Sequence, residues 1–206
     1  MNQCAPQTEF TALRKLARMQ AADDHSEPDA AVPLSFPVAA AHSPRAWFEL
    51  LYHELRRRAR GQLFRFSALT MGPTTLLHET WLKLADRPLQ FASQAELVAY
   101  AGHTMRHIVI NHIRDGKTAK RGGDFEIVPY ETLHDLRAME DDEVLRLDDA
   151  LRDLAATDAG LAELIELHFF AGLSFVEMAG LRGVSERTVR RDWSKARLLL
   201  AVALRG

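Results

Sequence analysis

From Ser43 onward, apolar residues recur at helical spacing. Trp47, Leu51, Leu55, Ala59 and Leu63 follow one another every four residues, which sets one apolar stripe along a helix. Ser43 and Pro44 offer a cap and a first helical position. A second helix is predicted from Pro73, carried by Leu76, Leu77, Trp81 and Leu84, with Leu77, Trp81 and Leu84 largely in the core. "DRPLQFASQ" reads as a loop broken by Pro88. A third helix spans about Gln94 to Arg114. Leu97, Ala101, Met105, Ile108 and His112 share one side; His103, His107, Asn111 and Arg114 share another, with Arg106 beside them. The glycines and lysines of "DGKTAKRGGD" are expected to end it.

Four further helical patterns follow, over about 144–155, 158–170, 174–180 and 186–203. Residues 1–42 are rich in Ala, Pro and acids and hold no sustained period beyond a short candidate helix over Phe10 to Met19. "FEIVPY" could be extended, but nothing in the chain pairs with it convincingly. The expected fold is all-α. An N-terminal extension (1–42) precedes a first helical domain (43–122). A polar, acidic linker (123–143) then leads to a second helical domain (144–206).

The most specific pattern lies in "GLSFVEMAGLRGVSERTVRRDWSKARLLL", from Gly172 to Leu200. Ser174 can cap a helix carrying Val176, Met178 and Ala179. Gly183 suits a tight turn, because glycine adopts positive φ without a Cβ penalty. Val184 reads as an apolar plug, and Ser185 as the next cap. Val189, Trp193 and Ala196 make the buried stripe of the second helix, leaving Glu186, Arg187, Arg190, Arg191 and Lys195 outside. A helix-turn-helix with a basic, polar recognition helix fits a DNA major groove, where its first residues reach base edges and its cations meet phosphates.

Charge strengthens that reading. The 206 residues carry a net charge of only -2, but the charges are segregated. Basic blocks lie around Arg56–Arg65, Arg106–Arg121 and Arg182–Arg197, with an acidic block from Glu140 to Asp149 between the last two. Such alternation suggests a polyanion met at more than one place; the plainer reading of each block is a solvated helix face. The acidic run Glu140 to Glu143 is expected to lie against a basic face and compete with DNA. A single cysteine, Cys4, gives no disulfide framework or Cys-rich zinc site. His103, His107 and His112 lack a completing ligand, and His78-Glu79 lacks the second histidine of a zinc-protease motif, so no metal and no cofactor is expected. No glycine-rich phosphate loop or nucleophile–base pair suggests an enzyme. With no apolar run of membrane length and no signal-peptide pattern, a cytoplasmic protein is expected.

The chain resembles the extracytoplasmic-function (ECF) type of bacterial sigma-70 factor. "LIELHFFAGLSFVEMAGLRGVSERTVRRDWSKARLLL" is similar to the domain of that family that reads the −35 promoter element. "LLHETWLKLAD" is similar to its most typical N-terminal-domain helix, and "ELVAYAGHTMRHIVINHIRDGKTAKR" to the helix that reads and opens the −10 element. The resemblance implies a protein without covalent chemistry that binds core RNA polymerase, at the clamp of the beta-prime subunit and the flap of the beta subunit. It would direct the polymerase to promoter DNA and help melt it. It implies −35 contacts by Ser185, Glu186, Arg187, Thr188, Arg190, Arg191 and Lys195. It implies −10 contacts by Arg106, His107, Asn111 and Arg114, with Phe91 in the base-capturing loop, and a polymerase surface of Leu76, Leu77, Glu79, Trp81 and Leu82. Whether an anti-sigma factor partners it is left open.

The chain departs from the usual family pattern at Gly72-Pro73-Thr74-Thr75, where acids that meet the polymerase clamp ordinarily stand. The form of the segment resembles a branch linked to serine/threonine kinases. Phosphorylation of Thr74, or of Thr75, would supply the missing charge; the plainer reading is that both threonines serve only the helix start. The competing functional reading is a one-component helix-turn-helix regulator that binds duplex DNA without polymerase.

Overall fold

A computed structural model describes residues 44–65, 71–85, 89–122 and 139–204. Seven α-helices and one π-helical turn account for nearly all of them, and no strand occurs among the described residues. In chain order they are α1 (Pro44–Phe64), α2 (Pro73–Ala85), α3 (Gln94–Gly122), α4 (Asp141–Thr157) and α5 (Ala159–Ile165). The π-turn (Glu166–Phe170), α6 (Phe175–Arg182) and α7 (Glu186–Ala203) complete the series. The fold is all-α, as the periodicity predicts. The candidate helix over Phe10–Met19, "FEIVPY" and Ser43 lie outside the described residues, as do the Trp47 side chain and most of the predicted linker.

Helix α1 buries Leu51, Leu55 and Ala59 against α2 and α3. Helix α2 answers with Leu76, Leu77 and Leu84, and α3 with Leu97, Ala101, Met105 and Ile108. Trp81 is only half-buried, its ring 4.7 Å from that of Phe48. Burying side chains of this size contributes roughly 1.5–3 kcal/mol each, so these stripes hold the three helices together. The other end of the chain has its own stripes: Leu147, Leu151 and Leu154 of α4, Leu161, Leu164 and Ile165 of α5, and Val189, Trp193, Ala196 and Leu200 of α7. One continuous apolar cluster joins the two sets.

Three expectations are corrected. Helix α3 does not end near Arg114 but runs through Gly116 to Gly122. A mid-helix glycine costs only about 1 kcal/mol relative to alanine, too little to stop a helix already anchored by its buried stripe. The acidic run Asp141–Glu143 is not linker; it is the first turn of α4. Acids there complement the helix dipole, and the Glu143 carboxylate accepts the Glu140 N–H at 3.0 Å. The pattern over 158–170 is not one α-helix. Asp158 caps α5, accepting the Leu161 N–H at 3.1 Å, but after Ile165 the backbone widens into the π-turn.

The carbonyls at the end of that turn have no partners in their own helix. Helix α1 supplies them. Arg58 donates to the Ala171 carbonyl, Gln62 to Phe170 at 2.6 Å, and Arg65 to Phe169. Gly172 then turns the chain in the left-handed region, at φ 66°.

Candidate nucleic-acid interface

Helices α6 and α7 form the helix-turn-helix. The Ser174 hydroxyl accepts the Glu177 N–H at 3.2 Å, and the Glu177 carboxylate accepts the Ser174 N–H at 2.7 Å, a reciprocal cap that fixes the start of α6. Gly183 makes the turn at φ 64°. Ser185 caps α7 by accepting the Thr188 N–H at 3.2 Å. Met178 and Ala179 are buried as expected. Val184 and Val176 are not: both are exposed, so Val184 is no plug. The turn is closed instead by the backbone, through the Val184 N–H to the Ala179 carbonyl at 3.1 Å.

The first two turns of α7 present Arg187, Arg190 and Arg191 to solvent, around an open recess that Thr188 and Ser194 also line. Arg190 is oriented by Glu186, at 2.7 Å, and lies over the Phe175 ring at 4.6 Å. Arg191 pairs with its neighbour Asp192 at 3.1 Å. Lys195, a turn further on, reaches Asp158 at 3.3 Å. These are surface pairs that add little to the fold, and a phosphate or base edge can replace them.

The α3 face is arranged differently. His107 and Asn111 are exposed. Arg106 is only 4% exposed and is held by two carboxylates, Asp148 of α4 and Glu166 of the π-turn. Asp148, itself 3% exposed, also takes Arg114 at 2.9 Å and Arg152 at 2.6 Å. Lys117 pairs with Asp142, and His103 Nδ1 lies 2.7 Å from Glu166. Burial pushes the Glu166 carboxyl up, but the His103 hydrogen bond and the charges of Arg106, His103 and His107 outweigh it and hold the group below its usual range. His107 is held below the ordinary histidine value by partial desolvation and by repulsion from His103 and Arg106, against the pull of Glu166 and Asp148.

Other expected site residues divide by exposure. Leu82 is 59% exposed, and Glu79 and Trp81 are half-buried. Leu76 and Leu77 are corrected: at 0% and 1% exposure they are core, packed beneath α1 and α3, and present no surface to a partner. Phe91 is likewise buried, its ring 5.8 Å from that of Tyr100, so it offers no open stacking platform. Thr74 and Thr75 are both exposed.

The profile of the family described as ECF sigma factor matches residues 40–206. The chain belongs to the ECF sigma factor family. No curated protein and no solved structure matches it significantly. The match spans both helical sets described above, so one family accounts for every described residue. As an ECF sigma factor, the protein is a DNA-binding regulator that works with RNA polymerase at promoters. Among the described residues no helix is long and apolar enough to cross a membrane, and no three His, Cys, Asp or Glu stand together as a metal site.

Sequence reasoning missed the carboxylates that cover the basic face of this sigma factor. Glu166 is a lone charge inside the apolar run "LIELHFF", and Asp148 sits inside an acidic block. A charge enclosed by apolar residues is a signal for a buried partner, but the sequence does not say which cation it meets. Gly102 was a second signal. A glycine inside a helical pattern can have a packing reason: a β-carbon at Gly102 would stand 2.6 Å from the Ala171 Cα, whereas Gly61 and Gly116 have open space around them.

Proposed function

We propose that this sigma factor divides its work between its two helical sets. Residues 43–122 bind core polymerase and the −10 element, and residues 144–206 read the −35 element. The observation that carries the reading is the exposed arginine row Arg187, Arg190 and Arg191 at the start of a capped α7. Ser185, Glu186, Thr188 and Lys195 border it. Arg106, His107, Asn111 and Arg114 hold the non-template strand near −10. The polymerase clamp meets α2 through Leu82, Trp81 and Glu79, and the flap meets the C-terminal helices. Run-off transcription with core polymerase is the test. A chain that binds duplex DNA alone and neither co-elutes with core polymerase nor supports initiation would instead be a one-component regulator.

The same reading includes a charge switch at the start of α2. That helix has no acid in its first turn, and Thr74 and Thr75 are exposed there. A phosphothreonine adds about -1.5 to -2 charges, which a helix N-terminus favours. A serine/threonine kinase acting on Thr74 first, or on Thr75, restores the acidity that clamp binding needs. Thr74→Glu is expected to bind core polymerase at least about tenfold, or ~1.4 kcal/mol, more tightly than unmodified protein. Equal core binding by the unmodified protein, Thr74→Ala, Thr75→Ala and the Glu variants would remove the switch.

A further inference from the structure

The basic row of α3 and the acids of the C-terminal helices form one polar seam. Arg106 sits between Asp148 and Glu166, Arg114 reaches Asp148, and Lys117 reaches Asp142. Beside it runs an apolar and backbone contact. Gly102 lies against Ala171, and Gln62 donates to the carbonyls of both Gly102, at 3.2 Å, and Phe170, at 2.6 Å. The partners of these cations are carboxylates, and cations of this kind also pair with phosphates. A planar guanidinium takes either partner with the same geometry.

We propose that Asp148 and Glu166 are phosphate mimics, and that α4 and the π-turn form an intramolecular lid on the α3 nucleic-acid face. The proposal rests on the reading of that face given above. In the closed molecule Arg106 cannot touch a nucleic acid, because it is buried and both its terminal nitrogens are taken. His107 and Asn111 stay exposed beside it but lack the cation that would hold a strand in place. The run Glu140–Glu143 joins the same lid through Asp142, which reaches Lys117 of α3.

The seam is also built to part. Arg106 Nε and Gln62 Oε1 are buried without a hydrogen-bond partner among the described residues. An unsatisfied buried polar atom costs free energy that solvent restores on opening. On parting, the charged groups regain water or meet DNA, and the Phe169, Phe170 and Ala171 carbonyls held by Arg65, Gln62 and Arg58 return to water. The continuous apolar cluster divides beside Gly102 and Ala171, with the stripes of α1–α3 on one side and those of α4, α5 and α7 on the other. Gly102 permits the contact only because it has no side chain, so a wedge there separates the two sides with no change of charge.

The test uses the full chain with Cys4→Ser and dye labels at Ala85→Cys and Ala203→Cys, both exposed positions. Energy transfer reports closure, and a fluorescent ~20-nucleotide single strand of mixed sequence reports access to α3. Two openings are compared: Asp148→Asn with Glu166→Gln, and Gly102→Val. Circular dichroism selects variants that remain helical. Both are expected to lower energy transfer. Both should also bind the single strand roughly tenfold more tightly, as follows if the competent fraction rises from about 5% to about half. Adding Arg106→Ala should abolish the gain. Neutralising two exposed acids away from the seam, Asp153→Asn with Glu163→Gln, should change affinity less than about twofold, which separates unmasking from net charge. Folded variants with unchanged transfer, or with lowered transfer and wild-type affinity, would overturn the lid. Failure of the polymerase reading would show differently, as absent core binding in wild type and variants alike.

Discussion

Helix α7 holds Arg187, Arg190 and Arg191 out in solvent, tied at most to neighbours on their own helix and, for Arg190, to the Phe175 ring of α6. Helix α3 turns Arg106 inward onto carboxylates more than forty residues away in sequence. The residue type is the same in the two places, arginine on a long helix. What differs is burial, and burial changes what an arginine is worth. An exposed guanidinium contributes little to the fold and is available to a ligand. A buried one is tied to the fold, because its partners have given up water to meet it.

That contrast can be broken most sharply by truncating one arginine from each helix. Arg106→Ala removes the cation between Asp148 and Glu166 and leaves Asp148 buried with only Arg114 and Arg152. Breaking a buried pair this way typically costs about 3–5 kcal/mol in the closed form, but the folded molecule escapes into its open form, which an open fraction of about 5% places ~1.7 kcal/mol higher. Urea unfolding should therefore show a loss that approaches that value and does not exceed it. A loss under about 1 kcal/mol would mean that the seam is loose and that Arg106 is effectively a surface residue. Arg187→Ala, by contrast, should leave stability within about 0.5 kcal/mol. Its effect belongs to DNA: about 1–3 kcal/mol of −35 duplex affinity if it contacts a base, and a weaker, sequence-independent loss with a shallower salt slope if it contacts a phosphate. Titrating duplex DNA at several salt concentrations distinguishes the two.

The helix-turn-helix was legible in the sequence because its signals are local. Ser174, Gly183 and Ser185 act within a few residues of themselves, and each sits in the structure as its chemistry requires. The stripes of α1 to α3 were legible for the same reason. Val184 misled because apolar character alone does not show burial; the turn needed only its backbone N–H. Leu76 and Leu77 misled in the other direction, since a family motif marks residues that matter without separating those that face a partner from those that build the helix carrying it. The seam was legible only at its edge, where the acidic run expected on a basic face places Asp142 on Lys117; its centre was not. Asp148 and Arg106 are linked only through the packing of α4 on α3, and no spacing rule spans that distance. The π-turn was hidden too, because its carbonyls are held by Arg58, Gln62 and Arg65 from another helix.

The smallest expected effect sharpens the contrast through protons. Mild acid should act on the α3 seam. The Glu166 carboxyl is held below its ordinary value in the folded protein, where His103, Arg106 and His107 of α3 face it. The folded state therefore binds fewer protons there than the unfolded chain. Its contribution is full above the ordinary carboxylate value of about 4.5 and is lost as pH falls through the depressed one. His107, faced by His103 and Arg106 on its own helix and by Glu166 and Asp148 across the seam, is also held below its ordinary 6.5. The sign is the same: its contribution is full above that value and declines as pH drops below it, because the unfolded chain takes up the proton first. Stability in urea should therefore fall in two steps on acidification, a small one below about pH 6.5 and a larger one below about pH 4.5. Glu54 and Asp158 are shifted in the same direction and contribute to the lower step. His107→Gln should erase the upper step and leave the lower. Glu166→Gln should shrink the lower step and move the upper one, since it removes a charge that pulls on His107. If both variants keep the wild-type profile, the protons are being taken up elsewhere and the α3 seam is not where acid acts.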